Sequence, residues 1–251
     1  MNWTRIASAH MNSTQYDMQF LCERRRIMKR IQSRITLFLV LLIILAHITA
    51  FSATAAETLL SDKVLYSASF IDVPKDSFYA EPVSWAVEAG ITGGTTATTF
   101  SPQATCSNAQ VITFLWRACG SPGPYFSNPF SDVSEDAYYY EAALWAYECG
   151  MADGAEFQPD KPCSRSMAMT YLWKEAGMPK AVNTPKFSDV SNSADYSDAV
   201  AWGVEMGITG GTTDTTFSPQ NTCTRAQIIT FLYRDLMETT NADSGSFEIV
   251  I

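Results

Sequence analysis

Phe187-Ser-Asp-Val190, Trp202-Gly-Val-Glu-Met-Gly207-Ile-Thr-Gly-Gly211, Phe217-Ser-Pro219 and Thr224-Arg-Ala-Gln227 follow one another near the C-terminal end of the chain, and the same blocks occur twice more upstream. Phe70-Ile-Asp-Val73 and Phe130-Ser-Asp-Val133 precede them at steps of 60 and 57 residues. Trp85, Trp145 and Trp202 each lie 15 residues past the first phenylalanine, and Gly90, Gly150 and Gly207 each lie five residues past the tryptophan. Phe100-Ser-Pro102 and Phe157-Gln-Pro159 match Phe217-Ser-Pro219, and Cys106, Cys163 and Cys223 stand four residues beyond each proline. A chain carrying several anchors in one order three times is an internal repeat, and its fold is that of the unit and its stacking.

The unit reads as helix, loop, helix. Pro82-Val-Ser-Trp-Ala-Val-Glu-Ala-Gly90 has a proline near a helix start, apolar residues at three- and four-residue spacing, and a glycine where a helix stops. The Gly/Thr-rich run Thr92-Gly-Gly-Thr-Thr-Ala-Thr98 is a loop. Ser107-x-x-Gln110 and Thr224-x-x-Gln227 have the form of capping boxes opening a second helix. The residues after them, Val111, Ile112, Phe114 and Leu115 or Ile228, Ile229, Phe231 and Leu232, give that helix a wide apolar face. One helix pair cannot bury such a face alone, so three units at 70–120, 130–178 and 187–238 are expected to form one all-α bundle with pseudo-threefold character.

Composition narrows the function. Residues 1–56 hold seven of the 17 Lys and Arg but only two of the 26 acidic residues, which leaves ten basic and 24 acidic residues beyond them. A net charge of -14 over 57–251 disfavours a nucleic-acid partner, whose phosphates need Lys and Arg. Both histidines, His10 and His47, also precede residue 57, so the repeats have neither a histidine-dependent catalytic triad nor a histidine-ligated metal. No Cys-x-x-Cys pair and no calcium-loop order is present, and no metal or cofactor is expected.

Arg24 to Arg34 is basic, Ile35 to Ile48 is apolar, and Ser52-Ala-Thr-Ala-Ala56 is small, the order of a secretory signal. The apolar core is shorter than the roughly 20 residues that span a bilayer. Residues 1–56 are therefore expected to be a leader cleaved near Ala55 or Ala56, with Met28 a natural start, and no stable membrane insertion afterwards. Past the leader remain Cys106, Cys119, Cys149, Cys163 and Cys223, an odd number that reads as small buried apolar residues with at most an incidental bridge. The flanks 57–69 and 239–251, the latter a tail, are too short for a catalytic domain.

The composite pattern resembles the S-layer homology domain, found as three tandem copies in exported bacterial proteins. The resemblance implies grooves between neighbouring units that bind a secondary cell wall polysaccharide linked to peptidoglycan, in some cases one ending in a pyruvylated amino sugar, at the bacterial cell wall or surface layer. It also implies the receptor: Arg165 and Arg225 at the family's arginine position, Gly93, Gly94, Gly210 and Gly211 at its loop position, and Trp85, Trp145 and Trp202 as sugar platforms. Chemically, an arginine fork beside backbone N–H groups suits a carboxylate, whereas the tryptophans suit core packing equally well. Asp72, Asp132 and Asp189 precede turns and read better as caps of backbone N–H groups than as ligand contacts.

Departures from the pattern reduce the number of competent sites to one or two. Repeat one has Asn108 in place of the arginine, and repeat two has a loop three residues shorter with Asp153 where a glycine would stand. Only repeat three combines intact loop and arginine within one copy, although grooves between copies can draw the two from different repeats. Carboxylate pairs alone can hydrolyse glycosides, but no motif supports catalysis here, and no catalytic residue is assigned. A structural surface-layer or protein-assembly subunit is the alternative to a wall anchor, with surface-layer proteins as its partners.

Overall fold

The computed structural model describes residues 70–183 and 187–238. The leader at 1–56 and the tail at 239–251 lie outside the described residues. Six α-helices make up the described part: α1 (Ala80–Glu88), α2 (Asn108–Ala118), α3 (Tyr140–Glu148), α4 (Arg165–Glu175), α5 (Ser197–Glu205) and α6 (Arg225–Tyr233), the last continued by a π-helical turn (Arg234–Glu238). Among the described residues there are no strands, only isolated bridges. The all-helical, three-unit reading of the sequence is what the structure has.

The second helices begin where the capping pattern places them. The Ser107 hydroxyl accepts the Gln110 N–H and the Gln110 amide oxygen accepts the Ser107 N–H, and Thr224 and Gln227 repeat this reciprocal pair. Ser164 accepts the Met167 N–H, but methionine has no oxygen to return the bond. A helix start has further orphan donors, and the neighbouring repeat satisfies them. The Arg225 and Ala226 N–H groups donate to Ala104 and Pro102 carbonyls of repeat one, at 2.9 and 3.0 Å. Arg165 and Ser166 donate to Asn221 and Pro219 of repeat three, and Asn108 and Ala109 to Lys161 and Pro159 of repeat two.

These contacts close a ring. The Cys106 N–H donates to Cys223 O (3.0 Å), the Cys223 N–H to Cys163 O (2.9 Å), and the Cys163 N–H to Cys106 O (2.9 Å). All three cysteines are fully buried, and a small side chain is what lets three backbones approach one axis. Burial pushes the Cys106 and Cys223 thiols up to about 12 and that of Cys163 upward as well, so they remain neutral. No disulfide joins the five described cysteines, and Cys119 and Cys149 are half-buried. Val111, Leu115, Leu172, Ile228, Phe231 and Leu232 of the second helices face a narrow apolar space.

The closely packed helix pairs likewise form between repeats: α2 with α3, α4 with α5, and α6 with α1. Connecting segments are pinned to these pairs. Trp116 and Trp173 indole N–H groups donate to Pro122 O and Pro179 O, both at 2.9 Å, while the Glu148 carboxylate accepts the Tyr125 and Phe126 N–H groups.

Inside each repeat, Phe-x-Asp-Val and Phe-x-Pro lock together. The phenylalanine pairs Phe70–Phe100, Phe130–Phe157 and Phe187–Phe217 have ring centroids 5.8, 5.5 and 5.8 Å apart, geometry worth about 0.5–1.5 kcal/mol beyond area burial. The aspartate two residues on clamps two successive N–H groups: Asp72 takes Phe100 and Ser101, Asp132 takes Phe157 and Gln158, and Asp189 takes Phe217 and Ser218, all at 2.7–2.8 Å. The second residue of each clamped pair precedes a proline and is left-handed, with φ of 58° at Ser101, 55° at Gln158 and 59° at Ser218. The proline disfavours the right-handed alternative, and the left-handed form costs about 1–2 kcal/mol without a compensating contact. The aspartates supply that contact, in line with their reading as caps.

Burial alone raises the Asp189 pKa, but the Phe217 and Ser218 N–H groups and the nearby Arg165 charge outweigh it, so the carboxyl titrates below its ordinary value of 3.8. A carboxylate held below its unfolded value contributes stability above that value and loses it as the pH falls through the folded value. Denaturant melts are therefore expected to show falling stability below pH 3.8. The variant Asp189→Asn should be less stable at neutral pH and lose less on acidification; equal stability of the two proteins at neutral pH would remove the clamp from the account.

Candidate functional site

Because each second helix starts against the loop of the next repeat, the predicted receptor residues meet in trans. Arg225 of repeat three lies against the repeat-one loop that contains Gly93 and Gly94. Its Nε donates to Phe100 O at 2.9 Å and its Nη2 to Thr92 Oγ1 at 3.3 Å, with the guanidinium over the Phe100 and Phe114 rings at 4.8 and 5.2 Å. Arg165 of repeat two lies against the repeat-three loop that contains Gly210 and Gly211. Its Nε donates to Phe217 O at 2.9 Å, and its guanidinium sits over Phe217 and Phe231 at 4.9 and 5.4 Å. Each arginine thus meets an intact loop. Asn108 and the shortened loop meet each other at the third junction, where Asn108 Nδ2 donates to Gln158 O at 3.1 Å.

Both arginines are nearly enclosed, 3 % exposed for Arg165 and 4 % for Arg225. An anion reaching them must enter the junction, because no guanidinium face lies open on the surface. Burial lowers both guanidinium pKa values, with Cys223 and Asp189 countering it at Arg165 and Cys106, Tyr138 and Asp72 at Arg225. Arginine nevertheless stays charged in any protein environment. Among the described residues the two terminal nitrogens of Arg165 and Nη1 of Arg225 have no hydrogen-bond acceptor, so each junction retains donors.

The two glycines of each loop have different duties. Gly94 has φ of 87° and Gly211 of 98°, and a Cβ on either would stand 2.6 Å from the Phe70 or Phe187 ring and 2.6 Å from a loop carbonyl. Their N–H groups turn inward to Thr92 and Thr209 Oγ1. Gly93 and Gly210 are exposed, and a Cβ there would meet nothing within 4 Å. Threonine and serine hydroxyls fix both loops in the same way, Thr95 to Ser101 at 2.7 Å and Thr212 to Ser218 at 2.8 Å.

The tryptophans divide. Trp145 is 1 % exposed and Trp202 4 %, so their rings are core and present no face to a sugar. Trp85 is half-buried and meets Tyr233 edge-on at 5.6 Å. Being on an amphipathic helix did not distinguish these positions, since all three first helices pack against a second helix of another repeat.

A second row of cations was missed. Arg117, Lys174 and Arg234 stand ten residues past the caps Ser107, Ser164 and Thr224, a recurrence visible in the sequence. They donate to Ile91 O (3.1 Å), Gly150 O (2.6 Å) and Ile208 O (3.2 Å), carbonyls just past the first helix of their own repeat. Positive charge is favourable at such a helix end. Tyr138 is within electrostatic reach of both Arg117 and Arg225, while Phe78, at the same register of repeat one, lines a cleft with Lys75 and Arg234. Among the described residues no group of histidine, cysteine or carboxylate side chains is arranged to hold a metal, and no helix is long and apolar enough to cross a membrane.

Comparison with known proteins places these features. The family model of the S-layer homology domain matches residues 69–112, 129–168 and 186–229. The surface-layer 125 kDa protein of Lysinibacillus sphaericus is 31 % identical over 171 residues, covering 64 % of this chain and 14 % of that protein. An endoglucanase of Bacillus sp. (strain KSM-635) is 28 % identical over 210 residues, covering 79 % and 22 %, and an S-layer protein of Bacillus thuringiensis subsp. finitimus is 26 % identical over 176 residues, covering 65 % and 21 %. The chain spans only 10 % to 22 % of the length of the curated relatives it matches.

Gly94→Ala and Gly211→Ala are expected to lose at least about 2 kcal/mol, combining left-handed strain with a backbone clash. Gly93→Ala and Gly210→Ala should stay within about 0.5 kcal/mol of the parent. Thermal melts of the four variants test the division; equal losses at both glycines of a pair would refute it.

Proposed function

Since the chain belongs to the S-layer homology domain family, whose members anchor at the bacterial cell wall, we propose that it is exported and binds a peptidoglycan-linked secondary cell wall polysaccharide non-covalently, reading a carboxylate such as a ketal-linked pyruvate. The observation that carries this reading is the trans pairing of Arg165 and Arg225 with two intact Gly-Gly loops, each arginine keeping N–H donors that nothing in the described residues uses. Two junctions are equipped for an anion and the Asn108 junction is not. At each equipped junction the arginine Nε is held by a phenylalanine carbonyl, which aims the fork before ligand arrives. A pre-aimed, poorly solvated fork is a stronger carboxylate receptor than a surface lysine. Gly93 and Gly210 leave the loop open to a sugar, and Trp85 is the one predicted tryptophan with ring surface to offer.

No catalytic role is proposed. The family matches within the chain are S-layer homology domains throughout, and the enzyme names among the relatives belong to proteins of which it spans 10 % to 22 %. The surface-layer proteins among the relatives support a second reading, assembly into a surface layer, which would appear as wall-independent self-association in sedimentation velocity.

Co-sedimentation of the full chain with purified cell walls, before and after the secondary polymer is stripped, tests the primary reading. Glutamine retains a donor for the phenylalanine carbonyl, so Arg165→Gln and Arg225→Gln are the variants of choice, with melting curves as fold control. Each charge-assisted contact contributes about 1.5–3 kcal/mol, so the double variant should bind at least tenfold more weakly. Retention on stripped walls, or a folded double variant that binds as the parent does, would overturn the proposal.

A further inference from the structure

In the two intact loops the second glycine is held from both sides. Gly94 and Gly211 donate their N–H groups to Thr92 and Thr209 Oγ1 at 3.3 and 3.1 Å, and a Cβ on either would strike the Phe70 or Phe187 ring at 2.6 Å. The threonine arm beyond them folds back, the Thr95 N–H donating to Thr99 O and the Thr212 N–H to Thr216 O, both at 2.8 Å. Repeat two has Gly154 at this position and loses each restraint. Ala152 stands where Thr92 and Thr209 stand, so the hydroxyl acceptor is gone, and among the described residues the Gly154 N–H has no acceptor. A Cβ on Gly154 would meet nothing within 4 Å, and the shorter loop has no such arm.

The residue before this glycine is an aspartate, and Asp153-Gly154 is the one Asp-Gly pair in the chain. Residues 153–156 are exposed, while Met151 and Phe157 on either side are buried. The loop is anchored at its ends, Lys174 Nζ donating to Gly150 O at 2.6 Å and the Ser131 N–H to Ala155 O at 2.8 Å, and it is open between them. Gly154 has no side chain to hinder approach to its nitrogen, and its backbone has a wide conformational range. The aspartate Cγ and the following amide nitrogen are the two ends of a five-membered imide. Other aspartates meet obstacles to that ring. Asp72, Asp132 and Asp189 precede valine, whose branched side chain crowds the nitrogen, and their carboxylates already hold two N–H groups each. The N–H groups after Asp76 and Asp214 are bonded, Ser77 to Pro74 O and Thr215 to Thr213 Oγ1.

We propose that Asp153-Gly154 is a site of self-modification, at which the folded chain converts aspartate to isoaspartate with water as the sole co-reactant. The Gly154 nitrogen attacks Asp153 Cγ and gives up its proton, the Cγ–O bond breaks, and the oxygen leaves as water to give a succinimide. Water then adds to one of the two imide carbonyls. Addition at Cγ restores aspartate. Addition at the main-chain carbonyl breaks that carbon's bond to the Gly154 nitrogen and frees it as a carboxylate, so the chain now runs through Cβ and Cγ. Composition and charge are unchanged, but the backbone between the two anchors gains a methylene. The change falls on one loop of three, because Gly93 and Gly210 occupy the aspartate's place in the others. The reaction needs no ligand and is independent of wall binding.

Peptide mapping by electron-transfer mass spectrometry, which distinguishes the two linkages, follows the reaction in the folded full chain held at neutral pH in 18O-labelled water. Isoaspartate carrying the heavy oxygen should accumulate at residue 153 at least tenfold faster than at any other aspartate of residues 70–238. The denatured chain should convert residue 153 no more than tenfold faster than the folded one, since the fold lays so little restraint on it. Ala152→Thr restores the hydroxyl acceptor and should slow conversion severalfold in the folded chain while leaving the denatured rate unchanged. Asp153→Glu, whose imide would need a larger ring, should abolish it, with melting curves as fold control for both variants. Protection of residue 153 by more than tenfold in the folded chain overturns the proposal, and so does an Ala152→Thr rate equal to the parent's.

Discussion

The structure depends on one arrangement: the first two N–H donors of every second helix are satisfied by carbonyls of the next repeat, and the last repeat returns to the first. The three cysteine-to-cysteine backbone bonds are the innermost turn of that exchange. An open array of repeats needs specialised caps at its ends, whereas a closed ring of three has no end. A single repeat taken alone would leave two helix donors and, in repeats two and three, a buried guanidinium without partners, each a costly loss in a low-dielectric interior. The repeats are thus legible one at a time but stable only as a set.

The same exchange decides where chemistry is placed. Within repeat two an arginine accompanies a shortened loop, and within repeat one an intact loop accompanies an asparagine, so counting by copy leaves one candidate that combines arginine and intact loop. Pairing by neighbour leaves two candidates, because the asparagine is delivered to the shortened loop and each arginine to an intact one. The substitutions at 108, 152 and 153 then fall on the two repeats that Asn108 joins through its bond to Gln158 O, although they are dispersed along the chain.

Much of this was legible in the sequence, since the local signals agree with the tertiary outcome. Ser107, Ser164 and Thr224 cap helices where their spacing says they do, and Asp72, Asp132 and Asp189 do bond backbone N–H groups, but at the Phe-x-Pro segments 25 to 29 residues away and not in the turns they precede. What spacing does not carry is which repeat packs on which. Trp145 and Trp202 looked equivalent to Trp85 because the apolar stripe on each first helix is the same, yet the first two rings are buried and Trp85 is half-buried against Tyr233. The Arg117, Lys174 and Arg234 row escaped for another reason. A cation near the end of a helix reads as a solvated end, and only the fold shows it crossing to carbonyls just past the preceding helix.

The charge distribution ties fold to ligand. Beyond residue 56 the chain has four arginines and six lysines, and all four arginines, 117, 165, 225 and 234, are at the contacts just described. At 117 and 234 a lysine does the same work, as Lys174 shows, but at 165 and 225 the planar fork bonds a carbonyl with one edge and keeps donors on another. The net charge of -14 over residues 57–251 acts outside these sites and opposes polyanions over about a Debye length, roughly 8 Å at physiological ionic strength. Inside the junction that field is overtaken by an enclosed guanidinium at contact distance. A densely phosphorylated polymer experiences the exterior along its whole length, whereas a glycan with isolated carboxylates needs only to insert one group past it. Under the proposed carboxylate reading, the buried arginines and the acidic exterior together would favour sparse acidity over dense acidity, which neither would do without the other.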